Sequence, residues 1–138
     1  MRAQARWARL VLCGLIAGAL WTLLSAGLLL MVGGDFLAEV TAARPGAAAP
    51  HAMLFLRASN FVASLWAMWL YTALRPQYGA GWRTAAIAGC AWWFIQSLQS
   101  AKWVALVGIP VGTTVLPLAA TLPAMVIAMV VGAWAYEA

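Results

Sequence analysis

Apolar residues fall in four runs, 7–32, 52–74, 84–107 and 111–136, separated by three glycine- and proline-containing breaks. Each run is close to the ~20 residues with which a helix, rising 1.5 Å per residue, crosses the hydrocarbon of a bilayer. Helices are the expected form, because a segment in lipid must satisfy its own backbone hydrogen bonds. "GGDFLAEVTAARPGAAAP" (33–50) reads as a longer outer loop, "RPQYGAG" (75–81) as a tight basic turn and "GIPVG" (108–112) as a minimal hairpin. The pattern predicts an all-α integral membrane four-helix bundle, up-down-up-down, as a single transmembrane domain over residues 1–138.

The polar interruptions inside the runs are few and regularly placed. Arg57, Asn60, Ser64 and Tyr71 follow spacings of three, four and seven in the second run, so they share one helical face. In the third run, Trp92, Gln96, Gln99 and Trp103 do the same, and "QSLQS" (96–100) lies at the depth of Asn60 because its helix runs the opposite way. The expected partner of that stretch is the Asn60 and Ser64 face of the neighbouring helix. Arg57 and Lys102 lie near the outer ends of their runs, and Asp35 and Glu39 follow the outer end of the first, so all four are expected at one rim. There the cations either snorkel toward acids and head groups or line a vestibule for a carboxylate or phosphate. Arg57, Asn60, Ser64, Gln96, Gln99 and Lys102 are therefore the candidate ligand-binding residues, and no residue is nominated as catalytic or metal-binding.

Composition supports the membrane reading. The chain is 66% hydrophobic and 8% charged, against about a quarter charged in a soluble domain. The net charge of +5 comes from eight Lys and Arg near the ends of apolar runs, which is a topology signal and gives no reason to expect nucleic acid. Arg2, Arg6 and Arg9 precede the first run, and Arg75 and Arg83 flank the second break, so both regions and both termini are expected in the cytoplasm. Trp7, Tyr71, Tyr78, Trp82, Trp134 and Tyr136 fall at that same expected interface. The start imitates a secretory signal, but its apolar run exceeds the ~7–15 residues of a signal core, so it is read as a retained span. Leu12 before Cys13 is too bulky for lipoprotein processing.

Small residues mark where helices approach closely. Ala120, Ala124, Ala128 and Gly132 recur every four positions, Gly14 and Gly18 form a GxxxG, and Ala85 and Gly89 a weaker version. Either a seam between copies or contact within one bundle satisfies this pattern. Pro117 and Pro123 are expected to disturb the early part of the fourth run. Trp21, Trp66, Trp69, Trp92 and Trp93 lie too deep for a simple interfacial belt, so they serve either as bundle core or lipid-facing bulk, or, with Trp66, Trp69, Trp92 and Trp93 foremost, as a platform for a flat apolar guest such as a lipid, quinone or pigment.

Several chemistries are disfavoured. His51 is the single histidine, so a haem held by two histidines of this chain is excluded. Cys13 and Cys90 do not form a CxxC pair, and no catalytic constellation or metal-ligand cluster is spelled out. Asp35, Glu39 and Glu137 all lie at or beyond run ends, which argues against proton-coupled export through a buried acid.

The segment "LYTALRPQYGAGWRTAAIAGCAWW" (70–93), with its RPxYGxGxxTA turn, and the ending "GAWAYEA" resemble a group of small, uncharacterised bacterial four-span inner-membrane proteins. That resemblance implies a multi-pass protein of the bacterial inner membrane and carries no activity. In the turn itself, Pro76 is expected to end the second span, Gly79 and Gly81 to allow the reversal, and Arg75 and Arg83 to meet anionic head groups. The leading expectation is a non-catalytic accessory or structural subunit, packing against a partner or another copy through the small-residue faces. Its rival is binding or transport of an amphiphilic, anionic small molecule or lipid through an outward-facing polar pocket.

Overall fold

A computed structural model describes residues 2–138, with the side chains of residues 2, 3, 5, 47, 48, 103 and 107 outside the description. The side chains of Arg2 and Trp103, both singled out above, therefore lie outside the described residues. Five α-helices follow one another: α1 (Arg2–Val32), α2 (Gly34–Ala43), α3 (Pro50–Tyr78), α4 (Trp82–Val107) and α5 (Val111–Glu137), with a 3-10 turn at Pro45–Ala48. The four long helices have 26 to 31 residues, roughly 39 to 46 Å at 1.5 Å per residue. Among the described residues, three of them, α1, α3 and α5, are long and apolar enough to cross a bilayer, a composition that suggests a membrane protein. The fourth expected span, α4, has the length, but Gln96, Gln99 and Lys102 hold its hydropathy below that of the most apolar stretches of the other three.

Other sequence expectations shift at the ends of elements. The 33–50 stretch is mostly helical, with α2 and the 3-10 turn occupying what reads as a loop. Three alanines and a leucine in "GDFLAEVTAA" support a helix, and Asp35 in its first turn suits the positive helix end. Pro76 does not end α3, which continues through it to Tyr78; a proline in the last turn removes only one backbone bond. Gly79, at φ 81°, and Gly81, at φ 130°, make the reversal, a backbone path open to residues without a Cβ. Pro117 and Pro123 sit inside a helix that runs unbroken from Val111 to Glu137.

Helices α1, α3, α4 and α5 close into a ring in that order. Neighbours are antiparallel: Gly14 faces Leu65 while Gly18 faces Phe61 and Ser64 on α3, and Gly132 of α5 faces Cys13 and Ala17 while Tyr136 accepts a hydrogen bond from Arg9. The start of α1, the α3–α4 turn and the end of α5 thus share one terminal end. Opposite lies a loop end formed by α2 and the α4–α5 hairpin.

Packing is uneven along this axis. The buried core runs through Cys13, Ala17 and Trp21 of α1, Ala67, Met68 and Tyr71 of α3, Ala85, Ala88 and Trp92 of α4, and Ala124 to Ala133 of α5. This cluster belongs to the terminal half, whereas at the loop end Ile109 and Thr114 are buried around the start of α5. Glycine and alanine at the crossings set that density: a Cβ added at Gly89 would lie 3.0 Å from Val126 Cα, and one at Gly132 would lie 3.0 Å from Ala17 Cβ. Trp21 and Trp92 close the core edge-to-face with ring centroids 5.8 Å apart. Beyond that layer, the facing positions carry Thr22, Leu24, Leu28, Asn60, Pro117 and Thr121, none of them fully buried, and the helices no longer touch so closely.

Candidate functional site: a cavity at the loop end

Where close packing stops, the four long helices enclose a cavity of about 390 Å³. Its walls are largely apolar, from Leu28 and Leu29 of α1, Met53 and Leu56 of α3, and Leu118 of α5, with Phe36 of α2 at the loop end. Seven polar side chains interrupt them: Thr22, Ser25, Arg57, Asn60, Ser100, Thr114 and Thr121. The hydroxyls of Thr22, Ser25, Thr114 and Thr121 donate to carbonyls of their own helices, Gly18, Thr22, Pro110 and Leu118 respectively. Their donors are spent in this way and their lone pairs remain as acceptors.

Arg57, Asn60 and Ser100 differ, because none has a hydrogen-bond or ion-pair partner among the described residues. Arg57 and Asn60 are three positions apart on α3, so the amide sits about one turn, ~4.5 Å, deeper than the guanidinium. α2 is tied across this end by the Thr113 hydroxyl, whose one proton is shared between Glu39 Oε2 at 3.0 Å and Pro110 O at 2.9 Å.

The six nominated residues are divided by the structure. Arg57 and Asn60 reach the cavity. Ser64 is fully buried, and its hydroxyl proton is shared between Phe61 O of its own helix at 2.8 Å and Gly14 O of α1 at 2.9 Å, which corrects the expectation that it faces the glutamine stretch of α4. Gln96 lines a separate groove on the α3–α4 side with Phe55, Ser59, Val62, Trp66 and Trp92. Gln99 and Lys102 are exposed on the outside of α4. The cause is helical rotation: one residue turns the side chain by about 100°, and Ser100 takes the inward position that Gln99 misses. Nor do the four rim charges form a cluster. Glu39 serves Thr113, Asp35, Arg57 and Lys102 are exposed, and the ion pair present among the described residues is Arg75 to Glu137 at the other end.

The aromatic expectations divide as well. Trp66, Trp69, Trp92 and Trp93 do not build one platform. Trp92 is core, and the Trp93 indole donates to Leu118 O at 3.0 Å and Thr121 Oγ1 at 3.2 Å. Trp66 and Trp69 face outward, the latter at the terminal end. Tyr71 belongs to the buried core, not to an interfacial belt; its hydroxyl donates to Glu137 Oε1 at 2.7 Å. Trp7, Tyr78, Trp82 and Trp134 remain exposed at that end.

The nominated seam residues are spent within the chain. Gly14 and Gly18 pack on α3, Gly132 on α1, and Ala124 and Ala128 are buried, with Ala120 half-buried. Cys13 is buried and Cys90 exposed. Among the described residues no three His, Cys, Asp or Glu side chains lie together.

Sequence reasoning overlooked Thr22, Ser25, Ser100, Thr114 and Thr121. A signal existed in the spacings: Thr22 and Ser25 are three apart, and Thr114 and Thr121 seven apart, each pair on one helical face. No known protein family, curated protein or solved structure matches the chain.

Proposed function

We propose that this is a non-catalytic, four-span protein of the bacterial inner membrane that holds an anionic amphiphile in its loop-end cavity. One observation carries the reading: Arg57, Asn60 and Ser100 line a largely apolar space with no partner among the described residues. A guanidinium kept without a carboxylate is well suited to a carboxylate or phosphate guest, which it binds through charge-assisted hydrogen bonds. Asn60 and Ser100 supply further donors, and the threonine and serine oxygens accept from any hydroxyl near the head. The leucine and methionine walls suit an alkyl chain, so an amphiphile fits better than a wholly polar metabolite. The volume is within the ~300–1,000 Å³ of ordinary small-molecule sites.

Topology enters the same reading. With Arg6, Arg9, Arg75 and Arg83 at the terminal end, the positive-inside rule puts that end and both termini in the cytoplasm and opens the cavity outward. α4 completes the ring as the fourth span, and its RPxYGxGxxTA approach resembles that of small bacterial four-span proteins. An accessory-subunit role loses the seam that suggested it, because the glycine and alanine faces are already filled by this chain's own helices.

Native mass spectrometry of the purified protein with decanoate, and separately with the uncharged decanol, tests the proposal. Decanoate should bind more tightly than decanol, and Arg57→Gln should weaken decanoate about tenfold, the size of one charge-assisted bond, while leaving decanol unchanged. Equal binding of the two probes, or decanoate binding untouched by Arg57→Gln, would remove the proposal.

A further inference from the structure

The terminal end carries a second, chemically different recess. A space of about 740 Å³ lies between α1 and α3 and is lined by Arg6, Trp7, Leu10, Trp69, Thr72, Arg75 and Tyr136. Its charges do not cancel. Arg75 Nη2 pairs with Glu137 Oε2 at 3.0 Å, and the other oxygen of that carboxylate accepts from Tyr71 at 2.7 Å. Both oxygens of that carboxylate are therefore engaged. Arg6 has no partner among the described residues, and Arg9 reaches only the Tyr136 backbone carbonyl at 3.4 Å. Arg75 itself keeps an Nε donor that is shielded from solvent and unbonded, while its guanidinium stacks 5.5 Å above the Tyr136 ring.

We infer that this recess holds the phosphodiester of an anionic phospholipid between Arg6 and Arg75. Arg6 and Arg75 line the recess against the single carboxylate of Glu137, leaving an excess of one positive charge, and the unbonded Nε of Arg75 is a donor that an anionic oxygen would satisfy. The other side of the recess selects a lipid over free phosphate. Trp7 and Trp69 are about half exposed, 59% and 48%, and they continue the recess from the buried Leu10 onto the outer surface of α1 and α3. Amphipathic indoles of this kind sit at head-group depth, and basic pockets between spanning helices on the cytoplasmic side bind acidic head groups. Arg83, the other arginine of the α3–α4 turn, is not part of the site; it lies over its neighbour Trp82, 5.6 Å from the ring. The site is separate from the loop-end cavity and stands or falls without it.

Native mass spectrometry of the detergent-purified protein titrated with phosphatidylglycerol, with phosphatidylcholine and with inorganic phosphate tests the inference. The wild-type chain should prefer phosphatidylglycerol over phosphatidylcholine by at least about tenfold, at roughly fivefold per arginine, and millimolar phosphate should not compete. Arg6→Gln should cut the preference about fivefold without changing the thermal midpoint, since Arg6 bonds nothing in the protein. Arg75→Gln should cut it too, and Arg83→Gln should not. If Arg75→Gln fails to fold through loss of its ion pair with Glu137, the Arg6→Gln result decides. Equal binding of the two lipids, a preference unaffected by Arg6→Gln, or displacement of the lipid by inorganic phosphate overturns the inference.

Discussion

At the scale of single residues, the small side chains of the terminal half are where the bundle is most sensitive. Ala128 is completely buried inside this one chain, so Ala128→Leu should lower the thermal midpoint of the monomer, an overpacking cost of about 1–3 kcal/mol. Size-exclusion light scattering should show the oligomeric mass unchanged, whereas a clean drop in mass with stability intact would mean that the face belongs to an assembly. Gly27 is exposed with no atom within 4 Å of an added Cβ, so Gly27→Ala should be neutral or slightly stabilising and serves as the control. Ser64→Ala removes the hydroxyl that bonds Gly14 O across helices, a contact worth about 0.6 kcal/mol in bilayers on average. Its effect should therefore be small beside that of Ala128→Leu.

At the scale of elements, α2 is the part held least firmly. It has no buried residue, and its side-chain bond to the rest of the bundle is the one from Thr113 to Glu39. Thr113→Val keeps the volume and removes the donor. Hydrogen exchange should then quicken across 34–43 while the core segments of α1 and α5 keep their protection. Exchange unchanged in α2 would show that Phe36 and the short connection to α1 hold it without help. α4 has the opposite character. It has no stretch as apolar as those of the other three long helices, yet its inward positions, Ala85, Ala88 and Trp92, are fully buried. Its most polar side chains, Arg83, Gln99 and Lys102, turn outward and Gln96 lines the side groove, while only the small hydroxyls of Thr84 and Ser100 face in.

At the scale of the whole molecule, the asymmetry between a tight terminal half and an open loop half is the main feature. Glycine and alanine at crossing points let backbones approach; leucine, threonine and proline at the equivalent points farther along keep them apart. The proposed orientation is checked by single cysteines at Tyr78 and at Gly46, introduced into a chain whose Cys13 and Cys90 are replaced by alanine. A membrane-impermeant maleimide should label position 46 in intact cells and position 78 only after permeabilisation. Labelling of position 78 from outside would reverse the topology and place the cavity on the cytoplasmic side.

The apolar runs by themselves were enough to locate the four long helices, because lipid-length hydrophobic segments leave few other folds open. Arginine placement and the glycines at 79 and 81 likewise marked the tight turn. The sequence could not settle how far each helix was rotated, and that rotation decides the site: at about 100° per residue, Ser100 faces inward and Gln99 outward, and Ser64 turns to α1. Helix ends were also hidden, since backbone bonding carries a helix past the last apolar residue and through a proline in its final turn. Only tertiary packing showed that the small-residue faces close the chain on itself, because a glycine stripe specifies close approach without naming the helix that approaches.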